Sequence, residues 1–282
     1  MESIKDAIAR AKQNDKNLPG KSSAQFDNDR TQDSSVKRRR MTDPKPGPGT
    51  AHSAYKLDRA LLQDMRIIAY DGTDRRTGHY DMLRTQVLQI LQSASVKTIA
   101  VTSPRAECGK TVTSINLAFS IARQREQSVM LVDLDLRKPA IARYLGIRPR
   151  HDVMDVLEGR LPAVDASIFP DLGQTRLSIL TAARPVSQSA ETVASHEMKR
   201  LTEALAKDEA FTVVVYDLPP MLSTDDFLAF LPQVDCAMLV ASVGETTEEE
   251  VKECERLIGE DKFLGCVLNK AAVADADYGY GG

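Results

Sequence analysis

Short apolar runs and stretches of helical period alternate along most of this chain, and that alternation defines its fold class. Strand-like runs rich in β-branched residues fall at Val96–Val101, Ser128–Val132, Leu177–Leu180, Phe211–Tyr216, Asp235–Val243 and Leu264–Leu268. Between them the apolar residues recur at helical spacing. Leu61, Leu62, Met65 and Ile68 predict a short helix, and Leu83, Val87, Ile90 and Leu91 form the stripe of a longer one over 79–93. Ile115, Ala118, Phe119 and Ala122 share a face of the next. A helix ends before Gly159, a continuous helix is predicted over 187–207 with Leu201 and Leu205 inward, and an acidic, exposed helix over 246–258. Strands that are apolar throughout and separated by helices form a mostly parallel sheet with helices on both faces, an α/β fold.

This regime covers residues 58–273. Residues 1–57 read as a disordered tail or linker. Within it Ile4, Ala7, Ile8 and Ala11 line one side of a possible short helix, either a docking element or a frayed terminus, since so short a helix is marginal alone. Residues 13–50 are polar, with Pro44, Pro46, Gly47, Pro48 and Gly49 close together, and cannot bury enough surface to offset their ordering entropy. The basic run Lys37–Arg40 suits an anionic lipid, a partner's acidic face, or a solvated linker. Residues 274–282 form a short, flexible acidic tail carrying Tyr278 and Tyr280, read as either a docking anchor or phosphate acceptors.

Composition narrows the classes. A net charge of −3 over 282 residues does not suit a nucleic-acid binder. The four cysteines lack metal-ligand spacing and no secretory signal precedes them, so a reduced cytoplasmic setting is expected, with Cys236 and Cys266 as core residues. No apolar run approaches the roughly 20 residues of a membrane span, so recruitment to a membrane would need another chain.

The chemistry concentrates at the predicted carboxyl ends of strands, where open α/β sheets bind ligands. After the strand ending at Val101 comes Thr102-Ser-Pro-Arg-Ala-Glu-Cys-Gly-Lys-Thr111, then a helix. Strand, tight loop, Gly-Lys-Thr and helix form the layout of a phosphate-binding loop. Gly109 lets the backbone approach a phosphate, Lys110 reaches the outer phosphates, and the Thr111 hydroxyl suits Mg²⁺. Glu107, Cys108 and Val112 border the same nucleotide site, although Pro104 stands where the motif begins with glycine. The next strand ends in Asp133 and Asp135, two carboxylates at i and i+2; a turn is the alternative reading. A third strand delivers Asp217 just before Pro219 and Pro220, an arrangement that carries a carboxylate to a metal shell. Thr224, Asp225 and Asp226 are read as helix caps. Asn269, at the last strand's end, either contacts a nucleotide base or caps a turn.

Val-Asp-Leu-Asp-Leu-Arg-Lys-Pro (132–139), Tyr-Asp-Leu-Pro-Pro (216–220), Val-Leu-Asn-Lys (267–270) and Tyr80-Asp-Met-Leu-Arg-Thr-Gln86 together resemble the bacterial tyrosine kinases of capsule and exopolysaccharide synthesis, P-loop ATPases of the MinD/ParA-like superfamily. The resemblance covers about residues 60–280. It implies an ATP-dependent protein-tyrosine kinase that regulates polysaccharide synthesis or export and phosphorylates Tyr278 and Tyr280 on its own tail or a neighbour's. By the same analogy Lys110 binds phosphates, and Thr111 and Asp217 organise Mg²⁺. Of Asp133 and Asp135, one assists tyrosine deprotonation and the other helps hold the metal. The family further implies a homo-oligomer and a separate integral-membrane partner, a polysaccharide co-polymerase that would recruit the kinase to the inner face of the cytoplasmic membrane. The chain departs from the family's Glu-x-x-Arg-x-x-Arg assembly motif: only Arg84 matches, with Gly78 and Asp81 at the other positions. Two further functions share these motifs: a MinD/ParA-type ATPase that uses ATP as a dimerisation switch, and a weakly catalytic nucleotide-binding regulator. The switch ATPases carry a signature lysine where this chain has Arg105, whose expected fate here is exposure to solvent.

Overall fold

The computed structural model describes residues 55–172 and 176–271. The helical stripe at Ile4–Ala11, the basic run at 37–40, and Tyr278 and Tyr280 lie outside the described residues. In chain order the elements are α1 (Arg59–Asp64), a 3-10 turn (Arg75–Thr77), α2 (Gly78–Ala94), β1 (Thr98–Thr102), α3 (Lys110–Ala122), β2 (Val129–Asp133), α4 (Ile141–Leu145), α5 (Val153–Leu157), α6 (Ala163–Ala166), β3 (Leu177–Leu180), α7 (Ser189–Val193), α8 (His196–Lys207), β4 (Val213–Asp217), α9 (Asp226–Phe230), a 3-10 turn (Leu231–Gln233), β5 (Cys236–Ser242), α10 (Glu248–Ile258) and β6 (Phe263–Asn269).

The strands form one sheet in the order β3-β2-β4-β1-β5-β6, and every pairing is parallel. Side chains alternate between two apolar layers, as the two-residue period of a strand requires. Ile99, Val101, Leu131, Val215 and Met238 point into one layer, with Val87, Leu91, Ile115 and Phe119 of α2 and α3. Ala100, Met130, Val132, Val214, Tyr216 and Leu239 point into the other, with Met198, Leu201 and Leu205 of α8 and Cys254 and Ile258 of α10. The central strands are buried at every position, which is why their sequences read as unbroken apolar runs.

Three expectations are corrected. The predicted helix over 187–207 is two helices, because Ser195 turns extended and its hydroxyl caps α8 by accepting from the Met198 N–H at 3.1 Å. Cys266 is exposed, not core, since β6 is an edge strand with one neighbour. The packed domain also reaches back to Tyr55, whose N–H donates to the Phe169 carbonyl at 2.7 Å, and Leu57 is buried in the first layer. Among the described residues no helix is long and apolar enough to cross a membrane.

Candidate active site

Register assembles the site. In the β2–β4 pairing Asp133 stands opposite Asp217, and in the β1–β4 pairing Val101 does. The loop after β1 therefore opens beside both carboxylates. It is pinned to the chain after β4: the Thr102 hydroxyl donates to the Pro219 carbonyl at 2.7 Å, and the Met221 N–H to the Ser103 carbonyl at 2.9 Å.

Two left-handed residues shape the loop. Glu107 has φ 65° and is exposed on the rim, while Gly109 has φ 91° immediately before α3. A Cβ at Gly109 would lie 2.1 Å from Nδ2 of Asn269. That amide donates to the Cys108 carbonyl at 2.9 Å, so Asn269 braces the loop from β6. Gly109→Ala is expected to destabilise the fold by about 2–3 kcal/mol, combining left-handed strain with the loss of this hydrogen bond. Chemical denaturation would read the change; unaltered stability would mean that Asn269 does not support the loop. Arg105 is exposed to solvent, and its Nε also pairs with Glu250 of α10, whose other oxygen accepts from the Thr247 N–H at 3.0 Å in that helix's capping box. Cys108 is buried, its Sγ 3.7 Å from the Thr246 hydroxyl.

Behind the loop lies a dense charge cluster. Lys110 Nζ is 2.8 Å from Asp135 Oδ2 and 3.4 Å from Asp217 Oδ2. The Thr111 hydroxyl donates to Asp217 Oδ2 at 2.6 Å and that of Ser114 to Oδ1 at 3.0 Å. Ser114 joins the site from one turn after Thr111 on the same helix, the spacing that marks it in the sequence. Asp133 is spent on the backbone. Its Oδ2 accepts from the N–H groups of Ala140 and Ile141 at 3.1 and 3.0 Å, and its Oδ1 from that of Asp135 at 3.3 Å.

The electrostatics follow from burial. Complete desolvation, followed by the like charge of Asp217, pushes the Asp133 carboxyl up to about 8. Desolvation also raises Asp217, against the pull of Lys110 and Thr111. Burial drags on the Lys110 ammonium, but Asp217 and Asp135 outweigh it and hold the group above its ordinary value. Two buried carboxyls, those of Asp135 and Asp217, face one ammonium, and with the two hydroxyls directed at Asp217 they form an oxygen-rich set short of positive charge. That donor set fits Mg²⁺. Val112 is half-buried on the first turn of α3, whose leading N–H groups have no acceptor within the helix and suit an anion.

Asp225 and Asp226 do not cap α9; no side-chain cap hydrogen bond forms there. Asp226 is fully buried and accepts from Arg137 Nε at 2.7 Å, joining the segments that follow β2 and β4. Arg84 is also used internally. Its Nη1 donates to Asp81 Oδ1 at 2.9 Å and to the Ser120 hydroxyl at 3.2 Å, while Asp81 also pairs with Arg123. Asp81 thus holds both arginines in one intrachain cluster.

Comparison with known proteins agrees with this geometry. Residues 99–277 match the CobQ/CobB/MinD/ParA nucleotide binding domain family. The chain is 30% identical over 237 residues to the tyrosine-protein kinase YwqD of Bacillus subtilis (strain 168), covering 81% of this chain and 96% of that protein. It is 32% identical over 188 residues to the succinoglycan biosynthesis transport protein ExoP of Rhizobium meliloti (strain 1021), but spans only 23% of ExoP's length. Among solved structures, the kinase domain of the Escherichia coli tyrosine kinase ETK superposes with a TM-score of 0.64 at 26% identity, covering 77% of this chain and 85% of that one.

Proposed function

Because this chain belongs to the CobQ/CobB/MinD/ParA nucleotide-binding family, and within it to the bacterial tyrosine-protein kinases associated with exopolysaccharide synthesis, we propose that it carries phosphate from ATP to the tail tyrosines Tyr278 and Tyr280. The observation that carries the proposal is the convergence of Lys110, Thr111, Asp135 and Asp217 within hydrogen-bonding range at the mouth of one loop. Phosphoryl transfer asks mainly for positioning and for positive charge around the migrating group. The N–H groups at the start of α3 and the Lys110 ammonium offer that charge to the phosphates. Glu107, Cys108 and Gly109 form the backbone wall of the same site. Asn269 serves it from behind, as a brace on the Cys108 carbonyl. Thr111 and Asp217 would hold Mg²⁺, which when bound supplies charge neutralisation between phosphate oxygens.

Of the two aspartates at the end of β2, Asp135 is the one proposed to receive the proton of the tyrosine hydroxyl. Asp133 has its oxygens engaged by three backbone N–H groups and is wholly buried, so it serves as a positioning residue. Asp135 touches Lys110 and keeps a little exposure. A lysine drawn toward phosphate would free that carboxylate to meet the tyrosine hydroxyl. Asp135→Asn is expected to retain nucleotide binding and to slow transfer by about 10²–10⁴-fold, the usual contribution of a positioned base. Asp133→Asn should cost less. The assignment fails if Asp133→Asn loses transfer while Asp135→Asn keeps it, measured by labelled phosphate on tyrosine.

An integral-membrane partner is proposed by relation to ExoP, in which the matching region is about a quarter of a longer transport protein. Such a partner would bring this chain to the inner membrane face. Any homo-oligomer would have to use surfaces other than Arg84, which is held within the chain.

A further inference from the structure

Arg137 follows Asp135 by two residues, yet the phosphate site does not use it. Its Nε edge is anchored at 2.7 Å on Asp226, a carboxylate with no exposure, and the side chain is otherwise 43% exposed. One edge of the guanidinium is thus fixed while its Nη2 meets only an exposed side chain, a fork preorganised for a carboxylate. A carboxylate already visits that edge: Asp225 Oδ1 lies 3.4 Å from Nη2, on a side chain that is 78% exposed. So loose a surface pair is easily displaced. Lys138 and Arg184 are exposed nearby, on two segments joined by the hydrogen bond from the Val186 N–H to the Leu136 carbonyl at 2.8 Å. Glu191 borders the same arginine.

The sequence that must reach this rim is acidic. After Lys270 the chain carries Asp275 and Asp277 and no lysine or arginine, and the two aspartates stand three and one residues before Tyr278. The tail departs from Asn269 of β6. With strands about 4.8 Å apart, β2 lies four strands and roughly 19 Å away. Eight residues of extended chain span up to about 29 Å, so Asp277 has the necessary length.

We propose that Arg137 is the specificity-determining residue for the acceptor: its Nη2 edge binds an acidic residue just before the tyrosine, displacing Asp225. The proposal rests on the kinase reading above. It defines the substrate class as tyrosines preceded by carboxylates, in the same chain or in a second copy.

The test uses full-length chains. The kinase carries Tyr278→Phe and Tyr280→Phe, so that it cannot accept phosphate. The acceptor carries Asp135→Asn, with its tail either unaltered or bearing Asp275→Asn and Asp277→Asn. Initial rates of tyrosine phosphorylation are followed against acceptor concentration. The amidated tail should lower kcat/KM about fivefold, through KM. Arg137→Gln in the kinase should lower it by a similar factor on the acidic tail and make the enzyme indifferent to the tail's charge. Arg137→Lys should fall between. Asp225→Asn, which removes the competing carboxylate, should raise kcat/KM about twofold; a simple staple between loops predicts no gain. Equal rates on both tails, or losses from Arg137→Gln and from the amidated tail that multiply, would overturn the docking alone. Absence of any transfer to the unaltered tail would overturn the kinase reading and this inference with it. Should Arg137→Gln not fold, Arg137→Lys and Asp225→Asn still decide the matter.

Discussion

Lys110→Met is expected to abolish ATP-dependent incorporation of phosphate into tyrosine, and to weaken the nucleotide-free fold in a pH-dependent way. The first effect follows from removing the one ammonium that faces both Asp135 and Asp217 at the start of α3. The second follows from what remains. Removing one partner of a buried ion pair leaves an uncompensated charge, at a cost of about 3–5 kcal/mol. The sign with pH can be worked out. Asp133 and Asp217 are raised in the folded state, Asp133 up to about 8, above an unfolded value near 4. Carboxyls raised on folding contribute stability that is fully present below the unfolded value and lost as pH climbs through the folded one. Without the ammonium these groups rise further, so the stability deficit of the variant should be smaller near pH 5.5 and larger near pH 8. Thermal melts at the two pH values check this, and an equal deficit at both would mean that Lys110 does not balance these carboxyls. Undiminished phosphotyrosine in the variant would remove the phosphate-loop assignment altogether.

The sequence was most legible where chemistry and local pattern coincide. Runs such as Val213–Tyr216 are apolar throughout because both faces of the strand are covered, and a terminal Asp is costly to bury there without a purpose. Asp133, Asp135 and Asp217 could therefore be found without knowing strand order. That Asp133 would lie beside Asp217 could not, because register is a property of two strands and of the chain between them. Side chains that act on distant backbone were equally hidden. Asn269 reads as a base contact or a turn cap until β6 is seen to end behind the Cys108 carbonyl. That the exposed Arg105 meets Glu250 depends on where α10 comes to lie. The misplaced Cys266 has the same origin: an edge strand and a central strand can carry similar apolar runs, and only sheet order tells them apart.

Replacing Tyr278 and Tyr280 together by phenylalanine is expected to remove most of the phosphotyrosine while nucleotide binding survives. The chain has seven tyrosines. Tyr216 is wholly buried in β4, and desolvation lifts its hydroxyl well above the ordinary phenol value. Tyr70 is buried edge-on against Phe119. Tyr80 is part of α2, where burial raises its hydroxyl, and Tyr144 is part of α4. Tyr55 is fixed by its backbone bonds to Phe169 and Asp171. Phosphorylating Tyr70 or Tyr216 would require withdrawing it from the core, and Tyr55, Tyr80 and Tyr144 pack part-buried against that core. Tyr278 and Tyr280 follow instead from the end of β6, which is bound through Asn269 to the phosphate loop itself. Nine and eleven residues of extended chain reach up to about 32 and 40 Å, more than the roughly 19 Å from β6 to β2 at ordinary strand spacing. Chain length therefore allows both tyrosines to return to Asp135 of the same molecule or to reach a neighbour's. Mass spectrometry of the protein after incubation with ATP decides the point: phosphate on Tyr55, Tyr70 or Tyr80, or undiminished phosphotyrosine in the double variant, would end the tail's claim to be the acceptor.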